Sequence, residues 1–219
     1  MRPLPGPLLV ITDRHQARHS VETIAAAVGC GGGRWLLLRD KDLAREERRD
    51  LALRLAKIAA EHGVALSVST DVGLAAEVGV GVHLQAAAAV APARSRLGSA
   101  AIIGVSAHGL DDVVAAAAAQ ADYVTLSPIF LTDSKPGYGP ALGTAALRAA
   151  AERDIPVLAL GGVTAETAAA CLAAGARGVA VMGEIMRADD PARIVGDLVR
   201  ACESASRRGD SRFFARDRL

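Results

Sequence analysis

Short, almost wholly apolar runs alternate along this chain with alanine-rich stretches of helical periodicity, from one end to the other. The runs predict strands over Leu8–Thr12, Arg34–Arg39, Val64–Ser69 and Val80–Leu84, then Ala101–Ser106, Tyr123–Ser127, Ile155–Leu160 and Gly178–Met182. The helical periodicity is clearest over Leu43–Glu61, Asp111–Gln120, Thr144–Arg153, Thr164–Ala174 and Pro191–Ser204. Between Gln85 and Leu97 the helical pattern is weakest, because Pro92 interrupts it. Strands with so little polar alternation suit a parallel sheet covered by helices. An open doubly wound sheet would carry the same runs, but about eight β/α units in a chain of 219 residues favour a single (β/α)8 TIM barrel.

Two regions stand outside this repeat. Gly29-Cys-Gly-Gly-Gly33 precedes the second strand and so reads as a turn on the bottom of the barrel, since a phosphate cradle would link a strand to a helix. The expected domain layout is an N-terminal extension over residues 1–7, the barrel over 8–204 and a basic tail over 205–219. The tail is either a mobile end or an arm on a neighbouring copy in a homo-oligomer.

Composition narrows the function classes. Lys+Arg 25 against Asp+Glu 24 leaves a net charge of +1, so no global field draws nucleic acid or an anionic membrane, and any anion site must be local. One Trp, two Tyr and three Phe are too few for the stacking platforms of single-stranded nucleic acid binding. Cys30, Cys171 and Cys202 show no metal-ligand or C-x-x-C spacing and read as reduced thiols of a cytoplasmic protein. The prolines of Met1–Pro7 break any signal-peptide core, and no apolar run approaches a membrane span of about 20 residues.

In a barrel of this kind the chemistry sits at the C-terminal ends of the strands. Gly161-Gly162 follows the seventh strand and precedes a helix start at Thr164, and Gly183 repeats the opening after the eighth. Bare backbone there lets amide N–H groups and the positive end of a helix approach a phosphate. Arg39 and Lys41, two apart at the end of the second strand, share a side, and Lys135 lies in a long Pro/Gly-rich loop after the sixth. These three cations at the mouth predict a second anion or a single highly charged one. His108 follows the fifth strand, where an imidazole could move a proton near neutral pH, although helix capping is the plainer role. His83, inside Val82-His-Leu84, reads as a hydrogen-bonded core histidine.

Over about residues 8–200 the chain resembles the thiamine phosphate synthase and TenI superfamily. The resemblance is carried by Leu9-Val-Ile-Thr-Asp13, Leu38-Arg-Asp-Lys41, Gly81-Val-His-Leu84, Ile103-Gly-Val-Ser-Ala-His108, Ala121-Asp-Tyr123, Ser127-Pro-Ile-Phe-Leu-Thr-Asp-Ser-Lys135, Leu160-Gly-Gly-Val163 and Gly175-Ala-Arg-Gly-Val-Ala-Val-Met182, in that order. It implies a phosphate end of the site formed by Thr132, Ser134, Lys135, Gly161, Gly162, Met182 and Gly183. It also implies that Arg39 and Lys41 hold a diphosphate, with Ser106 and His108 on the pocket wall.

Synthases of that family join an aminopyrimidine diphosphate to a thiazole phosphate and release pyrophosphate with help from Mg²⁺. The residues they use for this fall here on Leu37 in place of a Gln, on Ser69-Thr70 in place of an Asn-Asp pair, and on Ala88 in place of a second Asp. Ser, Thr and Ala cannot supply the carboxylates Mg²⁺ needs, and Asp71 is one residue out of phase unless a bulge restores it. TenI-type thiazole tautomerases need no cofactor and match these losses better, with His108 as proton carrier. The tautomerase is therefore the favoured expectation, the synthase the alternative, and a non-catalytic regulator that binds thiazole phosphate the third reading.

Overall fold

The computed structural model describes residues 3–132 and 140–213, with side-chain surroundings as far as Ala205. Eight strands alternate with helices: β1 (Leu8–Ile11), α1 (Val21–Cys30), β2 (Trp35–Leu38), α2 (Arg45–Glu61), β3 (Ala65–Ser69), α3 (Val72–Val78), β4 (Gly81–Leu84), and a 3-10 turn (Ala87–Ala89) leading into α4 (Val90–Leu97). The second half continues with β5 (Ile103–Ala107), α5 (Leu110–Ala118), β6 (Tyr123–Leu126), α6 (Gly143–Ala151), β7 (Val157–Leu160), α7 (Ala165–Ala173), β8 (Gly178–Val181), α8 (Gly183–Met186) and α9 (Pro191–Phe213). All neighbouring strands are parallel and the sheet closes where Leu9 of β1 pairs with Ala180 of β8. The expected (β/α)8 barrel is the observed fold.

The apolar runs conceal a period of two that sorts them between two cores. Leu8, Val10, Leu36, Leu38 and Val68 point outward into the layer between sheet and helices. Leu9, Ile11, Trp35, Leu37, Tyr123 and Leu158 fill the barrel itself. Gly104 shows why this packing needs particular residues: a Cβ there would lie 2.1 Å from the Tyr123 ring, which crosses the interior edge-on to Trp35 at a centroid distance of 4.6 Å.

Three local expectations change in the structure. α4 forms in spite of Pro92, because the proline is the third residue of its first turn, where a missing N–H removes no helical hydrogen bond. β5 starts at Ile103, not Ala101, since the Ala101 carbonyl is taken by Arg94 Nη1 at 2.6 Å instead of entering the ladder. α9 runs past residue 204 to Phe213, so the first part of the basic tail prolongs the last helix; no proline follows Pro191 in it to stop the helix. Among the described residues no helix is long and apolar enough to cross a membrane.

Candidate active site

The C-terminal ends of β1 and β2 are locked by one buried carboxylate. Asp40 accepts Thr12 Oγ1 at 2.5 Å and the Arg14 amide at 2.7 Å, while Thr12 Oγ1 in turn accepts the Arg39 amide at 3.0 Å. Asp40 is thereby a structural clamp between two loops, and it fixes the backbone that carries Arg39. The guanidinium of Arg39 donates to Asp13 Oδ2 at 3.2 Å and lines a cavity of about 320 Å³. Volumes near this size suit a small-molecule site.

The same cavity is lined by Gly161 and Gly162, after β7, and by Met182 and Gly183, after β8. Gly161 and Gly162 have φ of 98° and 62°, in the left-handed region that favours glycine. The pair also lies under the loop that follows β6: Phe130 donates its amide to the Gly161 carbonyl at 3.0 Å, and a Cβ on Gly162 would lie 2.3 Å from the Leu131 carbonyl oxygen. Absence of a side chain here therefore serves close approach of backbone to backbone as well as to a ligand. The first turns of α7 and α8 open onto the same space, and their leading N–H groups have no intrahelical acceptor. A short helix after the last strand is a recurrent element of barrel phosphate sites.

Of the residues singled out in the sequence, Arg39, Thr132, Gly161, Gly162, Met182 and Gly183 converge on this cavity. Ser134 and Lys135 lie outside the described residues. Lys41 is exposed, beyond the end of β2, and is not among the residues that line the cavity with Arg39. Its charge is felt instead at His83. His108 is exposed on the rim, with its backbone amide on Asp112 Oδ2 at 2.8 Å and its ring Nδ1 3.2 Å from the carbonyl oxygen of Ser127, a cavity residue.

His83 is a core histidine, as its apolar strand predicts. Its Nδ1 lies 3.0 Å from the Tyr123 hydroxyl and its Nε2 lies 3.0 Å from Ser106 Oγ. Burial, helped by the charge of Lys41, pushes its pKa down to about 3 and keeps the ring neutral. Ser106 thus stands on a neutral imidazole inside the barrel, apart from the cavity residues.

The residues that should hold Mg²⁺ do not fit that ion. Thr70 has a left-handed φ of 64°, the local distortion that could have returned Asp71 to the mouth, but Asp71 caps α3 by accepting the Leu74 amide at 2.8 Å. Its second oxygen lies 3.9 Å from Arg48 Nη1. Arg48 is buried, and its Nη2 donates to the Ser69 carbonyl at 2.7 Å, so a cation of the protein already occupies this corner. Ala88 is in the 3-10 turn, and no cluster of His, Cys, Asp or Glu among the described residues is arranged for a metal. Titration of the ligand-free protein with Mg²⁺ should accordingly reveal no tight site. A micromolar site that disappears in Asp71→Asn would overturn this reading.

Sequence reasoning missed Ser127, Leu131, Thr164, Glu184 and Arg187 on the cavity wall. Glu184 had a usable signal, because it directly follows Gly183; Arg187 caps the end of the short α8, which the sequence pattern did not predict.

A family model described as thiamine monophosphate synthase matches residues 8–185. A putative thiamine-phosphate synthase from Geobacter sulfurreducens is 40% identical over 189 residues, covering 84% of this chain and 88% of its own. A thiamine-phosphate synthase from Thioalkalivibrio sulfidiphilus is 43% identical over 172 residues, 76% of this chain and 81% of its own. The solved structure of a thiamine phosphate pyrophosphorylase from Pyrococcus furiosus superposes with a TM-score of 0.79 at 28% identity, covering 90% of this chain and 96% of that one.

Proposed function

Because the chain belongs to the thiamine monophosphate synthase family and is an enzyme of thiamine biosynthesis, we propose that it transfers an aminopyrimidine from its diphosphate onto a thiazole phosphate, releasing pyrophosphate. The expectation from the sequence put a thiazole tautomerase first, whereas the names of the relatives support the transferase. The observation that carries the reading is the cavity that the glycine turns after β7 and β8 line together with Arg39.

In this reading the thiazole phosphate lies against Gly161, Gly162 and Gly183, where N–H groups at the starts of α7 and α8 favour an anion. Met182 and Thr132 line the same space, and Ser134 and Lys135 follow Thr132 in sequence. Arg39, held by Asp13, and the exposed Lys41 take the diphosphate and the negative charge that grows on pyrophosphate as it leaves. His108, on the rim beside Ser127, takes the pyrimidine side, whereas Ser106 rests on the neutral His83 ring inside the barrel. Mg²⁺ would enter on the diphosphate substrate, since Ser69, Thr70 and Ala88 stand where metal-binding carboxylates would be needed.

The test combines two assays on one preparation: coupling of the two phosphorylated substrates with Mg²⁺ supplied, and NMR of a thiazole carboxylate phosphate in D₂O. Thiamine phosphate and pyrophosphate are the expected products of the first. Binding without coupling or isomerisation would leave only a regulator. Calorimetry should also show the phosphorylated thiazole binding far more tightly than its alcohol; equal affinities would remove the phosphate cradle from the argument.

A tautomerase remains the second reading, favoured by Ser69, Thr70 and Ala88 in the places of metal-binding carboxylates. Isomerisation without coupling would establish it. His108 is then the proton carrier, and His108→Asn preserves ligand binding while lowering the isomerisation rate by on the order of 10² or more. Full isomerase activity in that variant would exclude His108.

A further inference from the structure

We propose that Glu184 meets the phosphate end of the ligand as a protonated carboxyl, so that filling the cavity draws one proton from solution. The inference rests on the phosphate reading of the cavity and adds a residue that the family resemblance does not point to. Glu184 is the second residue of α8 and lines the cavity together with Gly161, Gly162 and Arg187. Its Oε2 is sealed from solvent and has no hydrogen-bond partner among the described residues. A buried carboxylate oxygen without a donor is costly, and a phosphate dianion in the same cavity would make the cost greater. One proton between the two groups removes both penalties: the carboxyl becomes a donor, and a phosphate oxygen becomes its acceptor.

The surroundings make protonation of this carboxyl easier. Burial raises the carboxyl's pKa, the charge of Glu166 on α7 adds to that, and only Arg187 opposes it. Glu166 is itself held ionised, above all by Thr164 Oγ1 at 2.6 Å. Arg187 directs Nη1 to Gln16 Oε1 at 2.6 Å. Among the other charges on elements around α8, Arg39 pairs with Asp13, Arg18 with Asp189, and Asp197 on α9 with both Arg193 and Arg200. Asp190 caps the start of α9 through the Arg193 amide, and His19 rests on the Asp189 carbonyl oxygen.

The probe is inorganic phosphate, titrated calorimetrically at pH 8 in two buffers of different ionisation heat. Wild type should take up close to one proton per phosphate bound and lose affinity about tenfold per pH unit above that pH. Glu184→Gln keeps the shape and a donor but cannot titrate, so its uptake should fall to near zero, with tighter binding at pH 8 and a flat profile. Glu166→Gln, outside the cavity lining, should keep the uptake. Equal uptake and equal pH slopes in wild type and Glu184→Gln overturn the role of Glu184 while leaving the phosphate site standing. Failure of phosphate to bind wild type and both variants overturns the phosphate site, and this inference with it.

Discussion

Gly162→Ala should lower the unfolding free energy by about 2–5 kcal/mol and abolish measurable binding of phosphorylated ligands, whereas Gly63→Ala should cost only about 1–2 kcal/mol and leave binding intact. The two glycines form a matched pair, with φ of 62° and 64°. An alanine at either position bears the left-handed strain of an L residue, about 1–2 kcal/mol. Their surroundings differ. Nothing lies within 4 Å of a Cβ built on Gly63, beyond the end of α2. On Gly162 the same atom would lie 2.3 Å from the Leu131 carbonyl oxygen and 2.8 Å from Phe130 Cβ.

Backbone has to move to relieve that overlap, and overpacking of this kind adds about 1–3 kcal/mol. The segment forced aside is the one that leads into Thr132 on the cavity wall, while Gly162 itself must shift the amides after β7. Stability and ligand affinity therefore fall together at Gly162 and separate at Gly63. Denaturant titration with calorimetry on both variants is the check. Equal stability losses, or native affinity in Gly162→Ala, would show that the close crossing of these loops does not shape the site.

The second large effect is a dependence of stability on pH set by His83. With its folded pKa near 3 against an ordinary 6.5, the folded protein keeps this ring neutral where the unfolded chain protonates it. Its contribution is whole above pH 6.5 and shrinks by about 1.4 kcal/mol for each pH unit as pH falls toward 3. In His83→Gln that dependence is absent, while the carboxylates that titrate over the same range remain in both proteins. The stability advantage of wild type over His83→Gln should accordingly diminish by about 2 kcal/mol between pH 6.5 and 4.5. A constant difference would mean that the ring takes up a proton inside the barrel without penalty, as it could only if water reached the space between Ser106 and Tyr123.

The alternation of apolar runs and helical stretches pointed to a parallel sheet covered by helices, and the count of about eight units in 219 residues favoured the closed barrel over an open sheet that would carry the same runs. With the barrel came the location of the chemistry, and the glycines after β7 and β8 could be read as an anion site since their neighbours in sequence, a strand before and a helix after, already fix their place. His83 was legible in the same way, from its two apolar flanks.

What the sequence left open depends on contacts between segments far apart in the chain. Arg48 sits in the charged run Arg45–Asp50 and reads as solvent-exposed; only the approach of α2 to the end of β3 buries it against the Ser69 carbonyl. The clamp made by Asp40 exists only because Thr12, 28 residues away, donates to it. Whether Asp71 turns toward a metal or toward a helix start depends on the φ of Thr70, and residue type alone does not set it. Glu184 and Arg187 join Arg39 at one cavity because β1 closes the barrel against β8, which brings the two ends of the chain together. Local pattern specifies which face of a strand or helix is buried; which side chain opposes which is decided by the packing of the loops.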